Sequence, residues 1–238
     1  MPPARVPHKY SMSVRINKYL ADHNYCTRRE ADTYIEQGLV LINSRKAVIG
    51  DKVTENDKVE VLFKPSTYRY YAYNKPRGII THSPQEGQRD ILQSIPLEGV
   101  FPIGRLDKDS HGLIILTDDG RITDKLLHPD YEHEKEYRVI TNEKLVLGFQ
   151  KKMEKGVDIE DYITKPAQIK ILGDKTFSVV LTEGKKHQIR RMCAAVGNTV
   201  DDLERTRIMN ITLGTLKANQ YRAIEGKELQ EFLKILEQ

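Results

Sequence analysis

Long apolar runs are missing from this chain of 238 residues: nothing in it approaches the roughly 20 consecutive apolar residues that a membrane helix requires. Cysteine is scarce too. Cys26 and Cys193 are the only two, far apart and without C-x-x-C or paired-histidine spacing, which argues against a disulfide framework and against a zinc site. A reducing, cytoplasmic setting fits that usage. Met1 to Ser13 holds Pro2, Pro3 and Pro7 but no apolar h-region, so it reads as a short disordered tail and not as a secretory signal. Charge of one sign is in small excess only, a net +4, so any case for nucleic-acid binding rests on where the cations cluster. Internal repeats and low-complexity tracts are also lacking.

What is present is a globular balance, 39% hydrophobic and 30% charged, in a chain long enough for a small module joined to a larger domain. Ile16, Tyr19 and Leu20 recur at helical spacing, and residues 24–26 break that helix. Thr27 followed by Glu30 is a capping-box signature, and Gly38 sits where a helix stops, which predicts a second helix over Arg28 to Gln37. Leu39 to Ile42, Ala47 to Ile49 and Lys58 to Phe63 read as short strands. Between residues 13 and 60 acids and bases balance, but Arg15, Lys18, Arg28 and Arg29 outnumber Asp22 in the first half. Arg28 and Arg29 fall in a first helical turn, where the dipole disfavours cations by roughly 0.3–1 kcal/mol each. A bound phosphate would offset that cost, and solvent screening accounts for it as readily.

Residues 64–67, with Pro65, form a linker, because one alternating strand stops there and the aromatic strand Tyr68 to Tyr73 begins. Beyond it the pattern predicts strands over Gly112 to Thr117, Glu136 to Thr141, Ala167 to Leu172, Thr176 to Leu181 and Thr206 to Leu213. Helices are expected over Arg121 to His128, Glu143 to Lys155, His187 to Val196 and Lys227 to Leu236.

Two segments carry candidate chemistry. Gly104 to Gly112, reading GRLDKDSHG, is polar, bracketed by glycines and runs straight into the apolar strand Leu113 to Leu116. A loop anchored to a buried strand is a platform for a reactive side chain, although taken alone it reads more readily as a surface turn. Gly184 to Met192, reading GKKHQIRRM, gathers Lys186, His187, Arg190 and Arg191 where a helix begins, with Arg205 and Arg207 further along, a natural place for phosphate. Ile189, Met192 and Cys193 require one side of that helix to pack inward.

In this order the segments resemble the RsuA/RluB/RluE/RluF family of bacterial ribosomal-RNA pseudouridine synthases over nearly the whole chain from Val14. Residues 14–60 look like an S4 RNA-binding domain, Asn74 to Gly78 resembles the family's entry turn, and GRLDKDSHGLIILTDDG at Gly104 to Gly120 resembles its catalytic signature. HEKEY at His133, HQIRRM at His187 and LERTRIMN at Leu203 look most like the RluF branch. Ser110 stands where many relatives have threonine, and the chain lacks the long basic tail some relatives carry, which bears on RNA affinity alone.

The resemblance implies an α+β fold: a tail (1–13), an S4 module (14–63), the linker (64–67) and a catalytic domain (68–238) with a mixed, mostly antiparallel sheet flanked by helices. It implies Asp107 as the catalytic aspartate, Tyr137 as the active-site tyrosine and Arg190 as the cation paired with Asp107. Substrate contacts are expected from Arg105, Lys75, Lys186, His187, Arg191 and Arg205, and S4 contacts to RNA from Arg15, Lys18, Arg28 and Arg29. An ionised carboxylate can attack a sugar or stabilise its electron-poor state, and a neighbouring arginine keeps a buried carboxylate ionised. No step needs a metal or an organic cofactor. The expected partner is 23S ribosomal RNA, with a tRNA anticodon stem-loop as a possible second substrate, and the chain is expected to be a monomer. The alternatives are an inactive S4-containing RNA-binding factor and, less in keeping with the motifs, a carboxylate-dependent glycosidase.

Overall fold

The computed structural model describes residues 13–81 and 89–237, so the expected N-terminal tail up to residue 12 lies outside the described residues. The chain divides into two compact units, one running to Tyr68 and including Asp119–Arg121, the other formed by Arg69–Asp118 and the chain from Ile122 onward.

The first unit contains β1 (Val14–Arg15), α1 (Ile16–Asp22), α2 (Arg28–Glu36), β2 (Val40–Ile42), β3 (Arg45–Lys46), β4 (Lys52–Val53) and β5 (Val59–Val61). The capping box forms in full: Glu30 N donates to Thr27 Oγ1 at 3.3 Å, and Thr27 N donates to Glu30 Oε2 at 2.7 Å. Ile16, Leu20, Ala31, Ile35, Val40 and Val53 bury one core under a β3-β2-β5 antiparallel sheet and a short β1-β4 pair. The return strand expected at Ala47 to Ile49 lies earlier. Asn43 and Ser44 both take left-handed φ (50° and 67°), so Ile42 pairs directly with Arg45 across a two-residue turn, and Val48 and Ile49 are left exposed.

The second unit contains β6 (Tyr70–Lys75), β7 (Phe101–Ile103), β8 (His111–Thr117), α3 (Ile122–Leu127), β9 (Lys135–Thr141), α4 (Phe149–Glu154), β10 (Gln168–Gly173) and β11 (Thr176–Leu181). It continues with α5 (Gln188–Val196), β12 (Val200–Ile208), β13 (Ile211–Thr212), β14 (Tyr221–Ala223) and α6 (Gly226–Ile235). One sheet runs β10-β11-β9-β12-β8-β6-β14, with β7 added to β8 and β13 to β12. Every pairing is antiparallel except β8 with β12. The whole is an α+β fold of S4 module and mixed, mostly antiparallel catalytic sheet with helices against it. No helix among the described residues is long and apolar enough to cross a membrane.

Two expectations are corrected. The helix expected over Glu143 to Lys155 exists only as α4, because the amides of Leu145 and Val146 are spent on Asp174 O (2.8 Å) and Asn198 Oδ1 (3.2 Å) and Gly148 turns left-handed at φ 74°. The strand expected at Thr206 starts at Val200 and breaks at Met209. Register shifts between Val200 and Asp202 and between Arg205 and Arg207 spoil the period of two, which hides the strand in the sequence.

Register places Lys75, Gly112, Arg205, Tyr137, Val179 and Ile169 in one row across the sheet. Paired residues share a face, so these side chains lie on the same side. On that side Val139, Phe177, Ile189 and Met192 form one core with α4 and α5, and Tyr73, Ile91, Leu106 and Ile114 form another. Tyr137 packs against both, so the row lies where the two cores meet.

Candidate active site

Gly104 to Ser110 connects β7 to β8, and its position is fixed through its carbonyls. Arg105 O accepts from Arg205 Nη1 at 3.4 Å, Leu106 O from Thr81 Oγ1 at 2.8 Å and Asp107 O from Ser110 N at 3.1 Å. Lys108 O accepts from Gly78 N at 2.8 Å and from Lys75 Nζ at 3.5 Å, and Asp109 O accepts from Arg190 Nη2 at 3.3 Å. Five consecutive carbonyls are thus each held, four of them by donors from outside the loop. Leu106 inserts its side chain into the core below while its N–H donates back to Thr81 Oγ1 at 3.0 Å. The result is a rigid mount for the side chain of Asp107.

Gly112 makes the close pairing beneath the loop possible. A Cβ there would stand 2.4 Å from Arg205 O, and its φ is 104°, so only glycine lets β12 run parallel to β8 at this point.

Asp107 is 39% exposed at its side chain, open to an incoming ligand and not enclosed in a closed cleft. The His187 imidazole stands beside it, with Nε2 3.6 Å from Oδ1, an ion pair whenever that ring is protonated. Arg190 is not in ion-pair reach. Its guanidinium is taken up by the carbonyls of Val200 and Asp109, so it holds the loop's backbone, and the role expected for it at the carboxylate falls to other groups. His187 precedes α5 with a left-handed φ of 52°, which turns the chain into the helix and sets the imidazole beside Asp107.

The remaining expected residues divide by location. Arg105 and Lys186 are exposed, as are Arg15, Arg28 and Arg29 in the first unit, while Lys18 there is half-buried. Lys75 is wholly buried, and its ammonium donates to Ile79 O (2.7 Å), Pro76 O (3.1 Å) and Lys108 O, so it braces the loop and does not reach a ligand. Arg191 pairs with Asp161 and donates to Ile159 O, away from Asp107. Arg205 is buried at 3% exposure, with Nε donating to Leu113 O at 2.7 Å. Tyr137 stands next to it in the row.

The row carries positive charge that no carboxylate among the described residues offsets at ion-pair distance. Burial pushes the Lys75 ammonium pKa down to about 8, Arg205 presses the same way, and Asp107 and Asp109 oppose it. Lys135 is also brought down to about 8 by burial and by Arg205, and its Nζ donates to His133 O at 3.1 Å. Sequence reasoning passes over Thr81 and Lys135. Thr81 carries no signal in the sequence, whereas Lys135 falls inside the HEKEY run.

Residues 69–195 match the family described as RNA pseudouridylate synthase and residues 14–59 the S4 domain. The chain is 41% identical over 233 residues to the dual-specificity RNA pseudouridine synthase RluF of Escherichia coli K12, covering 94% of this chain and 80% of that one. It is 34% identical over 230 residues to the ribosomal large subunit pseudouridine synthase B of Bacillus subtilis, covering 91% and 94%. A crystal structure of a pseudouridylate synthase superposes with TM-score 0.67 at 28% identity, covering 94% of this chain and all of that one, 100%.

Proposed function

The chain belongs to the RNA pseudouridylate synthase family, in its RluF branch, and we propose that it converts a uridine in a stem-loop of 23S ribosomal RNA to pseudouridine through the carboxylate of Asp107. The observation that carries the assignment of Asp107 is its mount: an accessible carboxylate on a loop whose backbone is held at five consecutive carbonyls, above a row of cations and Tyr137.

Isomerisation must break the bond from N1 of uracil to C1′, turn the base and join C5 to C1′. A carboxylate assists by attacking C1′ or by stabilising its positive charge, and both require it ionised. Lys75 braces the loop through the Lys108 carbonyl, and the His187 imidazole stands with Nε2 3.6 Å from Asp107 Oδ1. Tyr137 offers a ring for the extruded base and a hydroxyl for proton transfer. Arg105 is exposed two residues before Asp107, and in this reading it fills the space the base leaves, offsetting part of the few kcal/mol that extrusion costs. Lys186 and the exposed arginines of the S4 module contribute phosphate contacts.

A relative named for the large ribosomal subunit supports the ribosomal target, and one named for dual specificity supports a second RNA, for which we take a tRNA anticodon stem-loop. We place the protein in the cytoplasm as a monomer. The test is tritium release from ribosomal RNA labelled at uridine C5. The wild-type protein releases it and Asp107→Asn does not; release that persists in the variant rules out Asp107. Mapping pseudouridines in 23S and transfer RNA from a deletion strain identifies the target.

A further inference from the structure

Arg205 is the most buried arginine of the site, and its charge is unanswered. Nε and Nη1 are committed to the neutral carbonyls of Leu113 and Arg105, and Nη2 is buried with no hydrogen-bond partner among the described residues. A guanidinium stays charged at any physiological pH, so burying one with a spare donor costs free energy unless an acceptor arrives. The guanidinium lies against the loop that carries Asp107 and is in register with Tyr137 on the same face of the sheet.

A phosphodiester suits this position poorly. Phosphates remain at the rim, where Arg105 and Lys186 are exposed, whereas Nη2 is closed to solvent and is reached only by a group that enters beside the loop as the guanidinium turns to meet it. The part of an RNA that penetrates furthest is the flat extruded base. It is also the part that becomes anionic: when the N1–C1′ bond breaks, the electron pair leaves with uracil and its charge spreads onto O2 and O4. C1′ is meanwhile held by the carboxylate of Asp107. When C5 then bonds to C1′, the proton lost from C5 balances the one gained at N1, and the product is an isomer of the substrate.

We propose that Arg205 Nη2 donates to a uracil oxygen of the extruded base, holding the base and offsetting its charge while it is detached and turning. This rests on the synthase reading and names the group that retains the free base. A donor aimed at charge that develops during reaction contributes to turnover more than to binding.

The experiment compares wild type and Arg205→Gln in single-turnover reactions. The substrate is a stem-loop transcript with uridine, 2-thiouridine or 4-thiouridine at the mapped position, since sulfur accepts hydrogen bonds poorly. One of the two sulfur substitutions is expected to slow wild type about tenfold. Arg205→Gln is expected to slow turnover of the uridine transcript about 100-fold, with RNA affinity unchanged and no further slowing by sulfur. Equal slowing by sulfur in both proteins would make Arg205 structural only and overturn the proposal. Should Arg205→Gln not fold, wild type decides alone: no effect of either sulfur also overturns it. Absence of any turnover of the uridine transcript by wild type would instead overturn the synthase reading.

Discussion

At the scale of single residues, Gly112 and Thr81 set the geometry of the site, one by the atom it lacks and the other by the hydroxyl it shares. Gly112 has no Cβ, and one placed there would lie 2.4 Å from Arg205 O, too close to fit. Gly112→Ala is therefore expected to lower stability by about 2 kcal/mol or more through strain and forced separation of β8 from β12. A urea midpoint equal to wild type contradicts that. Thr81 Oγ1 both donates to and accepts from the Leu106 backbone. Thr81→Val keeps the volume but leaves the Leu106 groups unpaired in a buried place, at a cost of about 1–3 kcal/mol. Turnover is expected to fall about tenfold with little change in RNA affinity, the loop now holding Asp107 less firmly. Thr81→Ser should restore most of the loss. Failure of serine to rescue would mean that packing of the threonine methyl, and not the hydroxyl, is what matters.

Elements show a different economy. α2 is a short helix of nine residues with arginines in its first turn, opposed to the dipole, and the capping box supports its start. Thr27→Ala should cost about 1 kcal/mol, read as a lower midpoint for unfolding of the first unit. Replacing both Arg28 and Arg29 with alanine is expected to relieve the dipole conflict and raise helix stability slightly while weakening RNA binding. The dependence of log affinity on log salt should then become shallower by about one to two. An unchanged salt slope removes these arginines from the RNA surface. β12, by contrast, is charged along most of its length and still central in the sheet, because its two irregularities let Leu203, Arg205 and Ile208 all turn to buried positions.

For the molecule as a whole, buried cations make stability and activity respond oppositely to pH. Lys75 and Lys135 have folded-state pKa values near 8 against an ordinary 10.5. Between those values an unfolded lysine carries a proton that the folded one does not, so stability rises with pH in that window. The penalty of burying the charges is fully present below pH 8 and is relieved above it. Lys135→Met should accordingly be more stable than wild type at pH 7, with the gap narrowing by pH 9.5. A gap that does not change with pH would falsify the depressed pKa. Turnover should instead fall as pH rises past 8, since neutral Lys75 holds the Lys108 carbonyl, and with it the loop, less strongly.

The sequence by itself determined the family, the two-part organisation, the capped helix α2 and the loop that presents Asp107, because each depends on residues near one another in the chain. Capping needs Thr27 and Glu30 at fixed spacing, and the polar loop is read from its glycines and the apolar strand after it. The short α4, the early start of β12 and the partners of Asp107 were decided only by tertiary structure. Leu145 and Val146 lose helical bonding to Asp174 and Asn198, and two irregularities conceal β12. Arg190 is drawn to the carbonyls of Val200 and Asp109, 10 and 81 residues away in the chain, while His187, at a left-handed turn, stands beside the carboxylate instead. Which cation faces which anion is a property of register and backbone dihedrals, and residue type alone does not encode it.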